Sequence, residues 1–265
     1  MIPYPFTYHR AKSVADAEAL LADAPDAKLL AGGQTLIAAL RMRLAQPSDL
    51  IDISGIAELA FIRRDGDTLV IGANTRHAEV AQSAEVAKAI PALAELAECI
   101  GDPAVRHMGT LGGSVANNDP AADYTAAVLA LNATIKTNRN SYAADNFFTG
   151  MFSTALEEGE IVTELAFPIP ERAGYAKFRN IASRYAMVGV FVAKTKDAVR
   201  VAVTGAAPCV YRVPEMEAAL AASFTPEAVA TIKVPADGLN SDLHGSAEYR
   251  AHLVTVMAKR AVQAA

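Results

Sequence analysis

Apolar positions recur along this chain with two periods, and the places where one gives way to the other divide it into elements. "VADAEALLAD" holds alanine and leucine at helical spacing, Ser13 followed by Asp16 resembles a capping box that opens it, and the pattern stops near Pro25. "KLLA" then predicts a short buried strand that runs straight into Gly32-Gly33. "TLIAALRMRL" restores helical spacing until Pro47, and "LIDIS" predicts another strand. This is a strand–turn–helix–strand unit of α/β character. After a turn at "RRDGD" come the strand "TLVIGA", a helix beginning at "HAEVAQ" with His77 at its start, and the helical stretch "VAKAIPALAELAECI", which Pro91 interrupts. Beyond a glycine-rich segment, "AADYTAAVLAL" and "TIKT" predict a further helix and strand, and so a second α/β lobe. The two prolines of "IVTELAFPIPERAGY" mark a boundary. Past it, "VGVFVAKT" and "AVRVAVTGAA" form an antiparallel hairpin around "KD", followed by helices at "PEMEAALAA", at "PEAVATI" behind Thr225 and Pro226, and after Ser246. The expected fold is α+β, with lobes over residues 1–55 and 56–168 and a small antiparallel sheet covered by helices over 169–265.

Composition narrows the class. With 265 residues, 52% hydrophobic and 20% charged, the chain can bury a large core. Its net charge of -5 argues against nucleic acid as a partner, because clustered Lys and Arg are what a phosphate backbone rewards. No apolar run is long enough to span a bilayer, and "MIPYPFTYHR" lacks the basic start and apolar stretch of a secretory signal, which together point to the cytoplasm. Cys99 and Cys209 sit in no CxxC spacing and read as reduced, buried thiols. His9, His244 and His252 make no metal-ligating pattern.

The candidate chemistry lies in two glycine pairs. "LLAGGQTL" and "GTLGGSVANN" both run from apolar residues through Gly-Gly to side chains that form hydrogen bonds. A missing Cβ permits unusual backbone angles and close approach of a ligand to main-chain N–H groups, and a following helix N-terminus adds partial positive charge. Each pair alone reads first as a strand end. Two such pairs, flanked by Thr35, Thr110 and Ser114, favour a pyrophosphate guest. The motif is neither the Rossmann GxGxxG nor the P-loop GxxxxGK[ST], although Asp52 follows the first pair by about twenty residues. Of the polar cluster beyond the second pair, Asp119-Pro120 suits a cap for a helix from Ala121, which leaves Asn117 for the ligand. His107 reads as a solvated loop residue, and Arg41 and Arg43 as facing water.

"AGGQTLIAALRMRLAQPSDLIDI", "IGANTRHAEV", "IGDPAVRHMGTLGGSVANNDPAADYTAAVLAL" and "HGSAEYRAHL" together resemble the FAD-binding medium subunits of molybdenum hydroxylases, the group containing aerobic carbon monoxide dehydrogenase and xanthine dehydrogenase. The resemblance implies a two-lobed FAD-binding fold of the vanillyl-alcohol-oxidase type with a C-terminal flavoprotein domain. It places the first FAD motif on Ala31, Gly32, Gly33, Gln34 and Thr35, continuing into Leu36, and the second on Thr110, Leu111, Gly112, Gly113 and Ser114, with main-chain donors of both gripping the cofactor. Asn117 and Asp123 fall where further polar contacts are expected. Lys177 and Tyr185 come from a region that can reach the isoalloxazine or serve structure alone. The implied partners are a small subunit with two [2Fe–2S] clusters and a large subunit with a molybdenum–pterin cofactor, in a dimer of heterotrimers. Two cysteines leave no room for the extra [4Fe–4S] centre that some members carry, and noncovalent FAD is expected. No side chain of this chain is expected to be catalytic, since the cofactor carries the chemistry. A stand-alone flavin oxidoreductase of the same fold and an FAD-free scaffold subunit are the alternatives.

Overall fold

The computed structural model describes residues 2–265. Its first sheet is parallel, with Asp49–Asp52 between Thr7–Arg10 and Lys28–Leu30. Helices Val14–Asp23 and Leu36–Arg41 make the crossovers that parallel strands require. Ser13 caps the first of them, its hydroxyl accepting from the Asp16 amide at 3.1 Å. Ala17, Ile51, Ile53, Ile56 and Leu59 form a small core, joined by Ile161 from farther along the chain. Strand Thr7–Arg10 has no counterpart in the sequence pattern. It is tied in by His9 and Tyr8, whose side chains meet Asp49 at 2.7 Å and Asp52 at 2.6 Å. The helix predicted to reach Pro47 stops at Arg41, because Arg43 takes a left-handed backbone (φ 60). Arg43 does not simply face water: it donates to the Ile2 carbonyl at 3.2 Å and lies over the Tyr4 ring.

The second sheet is antiparallel and five-stranded, in the order Ile62–Asp65, Thr68–Gly72, Val162–Pro168, Thr134–Thr137, Ser141–Ala143. "RRDGD" is therefore half strand, with only Gly66-Asp67 turning. Its central strand comes from the stretch predicted to be a boundary. Pro168 is the last residue of that strand, where the missing N–H disturbs no interior pairing. Helix Asp123–Ala130 is buried at every position, which is why it shows no polar face.

The third sheet, Arg172–Arg179, Ala186–Lys194, Val199–Thr204 and Tyr211–Arg212, contains the predicted hairpin. Val188, Val190 and Val192 pack with Leu253, Val254 and Met257 of the terminal helix Ala247–Ala264. Phe191 and Ala193, on the opposite face, join the core of the second sheet. This sheet is covered on both sides: helix Asp123–Ala130 packs on strands Ala186–Lys194 and Val199–Thr204, and the Tyr175 and Lys177 side chains of Arg172–Arg179 reach its first residue, Asp123. Cys99 is exposed and Cys209 half-buried, so neither is the sealed thiol expected from the sequence; both are free. Among the described residues no helix is long and apolar enough to cross a membrane, and no cluster of His, Cys, Asp or Glu could hold a metal ion.

Candidate cofactor-binding cleft

The two glycine segments meet where the first two sheets meet. The backbone after strand Thr68–Gly72 is stitched to the second segment: Gly112 donates to the Ala73 carbonyl (2.8 Å), Leu111 to Thr75 (3.0 Å) and His77 to Gly109 (3.0 Å). Gly112 is a glycine because this approach is close, and a Cβ there would stand 2.5 Å from that of Ala73. The second pair is thus no turn. Gly112 and Gly113 lie in the first turn of helix Leu111–Asn117, capped by Thr110, whose Oγ1 accepts from the Gly113 amide at 3.2 Å.

That arrangement corrects the expectation that both motifs offer main-chain donors. Leu111, Gly112, Gly113 and Ser114 all have their amides engaged within the chain. The first pair differs. Gly33 has φ +71, which only glycine adopts without strain, and the amides of residues 32–36 make no hydrogen bond among the described residues. The two motifs touch: a Cβ on Gly32 would collide with the Met108 carbonyl and lie 2.7 Å from the Gly109 Cα, while one on Gly113 would reach Ala31.

Around this junction opens a cleft of about 700 Å³. Residues 31–36 line it from the first lobe, Thr110, Gly112, Gly113, Ser114, Asn117 and Asp123 from the second, and residues 183–185, Tyr185 included, from the third sheet's edge loop. Leu111 and Lys177 do not line it. Leu111 is fully buried core, and the Lys177 ammonium is committed to Asp123 and to the Cys99 carbonyl at 3.1 Å. Asp123 is 5% exposed; the Tyr175 hydroxyl donates to it at 2.5 Å and Lys177 Nζ lies 2.9 Å away. Burial raises its carboxyl, more than Lys177 and Tyr175 lower it, so the group sits above the ordinary carboxylate range. A smaller cavity of about 190 Å³ between Phe148 and Arg212 holds none of the sequence-predicted residues.

The polar cluster divides differently from the sequence reading. Asn117 faces the cleft and its side chain bonds to nothing in the described chain, so it is available to a ligand. Asp119 does not cap a helix, because the helix starts at Asp123; Asp119 accepts from the Ala121 amide at 2.9 Å and holds the turn before it. Asn118 is 1% exposed, left-handed (φ 44), and its amide donates to the Gly150 and Ser153 carbonyls, each at 2.8 Å. Replacing Asn118 with alanine strains the backbone and strands two carbonyls. An expected loss of about 2 kcal/mol follows, measurable by urea denaturation.

His107 bonds the Pro103 carbonyl and lies outside the cleft wall, as a loop histidine would. Three contributors escaped the sequence reading. Asn74 ties the cleft floor to the first lobe through the Ile53 carbonyl (2.6 Å). Glu160 accepts from Tyr142, Thr137, Asn140 and the Glu157 amide; burial raises its carboxyl, but these bonds outweigh it and hold it below the ordinary value. His77 is a buried wall residue rather than only a helix start. "IGANTRHAEV" carried the signal for Asn74 and His77, but its residues resemble any strand–helix junction.

Residues 4–170 match the family model of the FAD binding domain in molybdopterin dehydrogenase, and residues 174–265 that of the CO dehydrogenase flavoprotein C-terminal domain. The chain belongs to the FAD-binding medium subunits of the molybdenum hydroxylases. It is 38% identical over 282 residues to the carbon monoxide dehydrogenase medium chain of Hydrogenophaga pseudoflava, covering 100% of this chain and 98% of that one. It is 37% identical over 269 residues to the nicotine 6-hydroxylase medium subunit of Paenarthrobacter nicotinovorans, covering 96% and 95%. Reconstituted CO dehydrogenase from Oligotropha carboxidovorans superposes with a TM-score of 0.90 at 34% identity, covering 100% of this chain and 99% of that one. The medium-subunit family comprises the FAD-carrying parts of oxidoreductases, and the mixed helix-and-sheet fold described above is the family's. The cleft fits such a group: a run of open amides for a diphosphate, free Thr35, Ser114 and Asn117 side chains beside it, and a length set by three converging units.

Proposed function

We propose that this medium subunit holds FAD noncovalently and passes electrons from the [2Fe–2S] clusters of a small partner subunit to a terminal acceptor. The oxidised substrate would meet a molybdenum–pterin cofactor in a large third subunit, the whole forming a dimer of heterotrimers. The observation that carries this reading is the open amide run of residues 32–36 beside the second motif in the wall of one cleft. These amides, with the Thr35, Ser114 and Asn117 side chains, would hold the diphosphate and ribityl portions. Asp123, fixed by Lys177 and Tyr175, would mark the cleft wall toward the third sheet. FAD supplies a two-electron store when bound; the chain positions it and limits its contact with water. The vanillyl-alcohol-oxidase-type description of the two lobes belongs to the same proposal, as does the division at 1–55, 56–168 and 169–265, which three separate sheets support. Two free cysteines support a cytoplasmic setting.

The purified chain is expected to absorb in the flavin bands, with the colour leaving the polypeptide on denaturation. When isolated from its source it should carry two further polypeptides with iron and molybdenum. A colourless chain that takes up no added FAD overturns the proposal, and colour retained by the denatured chain overturns its noncovalent part.

A further inference from the structure

Five buried side-chain polar atoms lack a hydrogen-bond partner among the described residues, and only one, Nδ1 of His77, belongs to the cleft wall. His77 is 5% exposed. Its ring packs on Tyr124 with centroids 5.3 Å apart, and its Nε2 edge lies against Gly109, where a Cβ would stand 2.5 Å from Nε2. A phenylalanine would fill this space without leaving a polar group unpaired. Burial, assisted by the charge of Arg106, pulls the His77 pKa down to about 4, so the imidazole is neutral and carries a single N–H. The sealed Nδ1 is better left as a bare acceptor than as an orphaned donor, which puts the proton on Nε2 at the Gly109 edge. Gly109 is also the residue on which Gly32 packs. The Nε2 edge and residues 32–36 thus both border Gly109 and line the same cleft.

We infer that His77 contacts the cofactor directly, its Nε2–H donating to the FAD diphosphate that residues 32–36 cradle. This rests on the reading of the cleft as an FAD site. It adds a side-chain donor to the grip made by the amides of residues 32–36 and the Thr35, Ser114 and Asn117 side chains, and it accounts for a histidine where packing on Tyr124 asks only for a flat apolar ring. Gly109 has to lack a side chain because any Cβ would displace that donor edge.

The test uses the full chain stripped of flavin, titrated with FAD, ADP and riboflavin. His77→Phe keeps the ring on Tyr124 and removes the donor; His77→Gln returns an amide nitrogen near the position of Nε2. We expect His77→Phe to weaken FAD and ADP alike by about 10- to 100-fold and to leave riboflavin unchanged, with His77→Gln recovering most of the loss. Wild-type ADP affinity in His77→Phe overturns the assignment while FAD binding by the native chain keeps the cleft reading intact. A native chain that binds neither FAD nor ADP overturns the cleft reading, and the assignment with it. Should His77→Phe fail to fold, nitrogen NMR of the native chain decides: ADP must move the His77 Nε2–H resonance, and an unmoved resonance overturns the contact.

Discussion

Gly32→Ala is expected to abolish flavin binding in an otherwise folded chain. Gly32 has an ordinary backbone angle, so alanine meets no torsional penalty there; the obstacle is contact. Its Cβ would collide with the Met108 carbonyl and come within 2.7 Å of the Gly109 Cα, both backbone atoms of the opposing motif. A flexible side chain could swing aside, but a peptide stitched to residues 75–77 by hydrogen bonds cannot. Relief requires the two motifs to part, which misplaces the amides of residues 32–36 relative to Ser114 and Asn117. Overpacking of this kind costs about 1–3 kcal/mol in stability, and the ligand loses its aligned donors in addition. FAD titration and thermal melting should show at least a ~100-fold loss of affinity with a smaller fall in stability. Gly113→Ala gives the contrast. Its Cβ meets a side-chain hydroxyl, Thr110 Oγ1, at 2.8 Å and touches Ala31 only at 3.9 Å, so the motifs stay together. Wild-type FAD affinity in Gly32→Ala would show that the motif junction does not set the grip.

Lys177→Met should produce the largest change in stability. Lys177 and Asp123 have side chains 5% and 6% exposed and lie 2.9 Å apart, with Tyr175 donating to the same carboxylate. Removing the cation leaves Asp123 buried with a hydroxyl as its main partner. Breaking a buried pair from one side costs about 3–5 kcal/mol, which in a chain of this size lowers the melting temperature by on the order of 10 °C. The pH dependence has a definite sign. Burial already lifts the Asp123 carboxyl in the native chain, and loss of Lys177 lifts it further. The folded state then binds a proton that the unfolded state releases near its ordinary pKa of about 3.9, so stability falls as pH rises from that value through the folded pKa. Urea denaturation should find Lys177→Met closest to the native chain at the acid end of this window and farthest from it near neutrality. Adding Asp123→Asn to Lys177→Met should restore part of the loss at neutral pH. An equal deficit at both pH values would mean that Lys177 contributes by packing alone.

How far the cleft was legible depended on whether a residue's role is written in its neighbours along the chain. The first glycine motif was readable, because a pair with no Cβ after a strand and before a helix leaves amides open locally, and residues 32–36 do so. The Gly112-Gly113 motif has the same local signature but is the capped first turn of a helix, its glycines present to let residues 111–112 approach residues 73–75. Asn117, Asn118 and Asp119 are chemically similar neighbours, yet Asn117 lines the cleft with a free side chain, Asn118 braces residues 150–153, and Asp119, also at the cleft wall, holds a turn. Their hydrogen-bond partners, not their composition, separate them.

Periodicity alone determined most of the elements, including the capped helix Val14–Asp23, the break at Pro91 and the hairpin of the third sheet, because helical and strand spacing report which side of a local segment meets the core. The glycine-rich segments were legible from their residues, and the family resemblance rests on those motifs. Tertiary structure decided what spacing cannot express. Val162–Pro168 became the centre of a sheet through partners far back along the chain, with Leu165 pairing with Ile71 on one side and Ile135 on the other, and the strand's own spacing reveals neither. Lys177 was drawn from a cofactor role to a buried ion pair with Asp123, and His77 acquired a place in the cleft wall. In each case the deciding quantity is desolvation by groups distant in sequence, which sets whether a polar atom must find a partner and which partner is within reach.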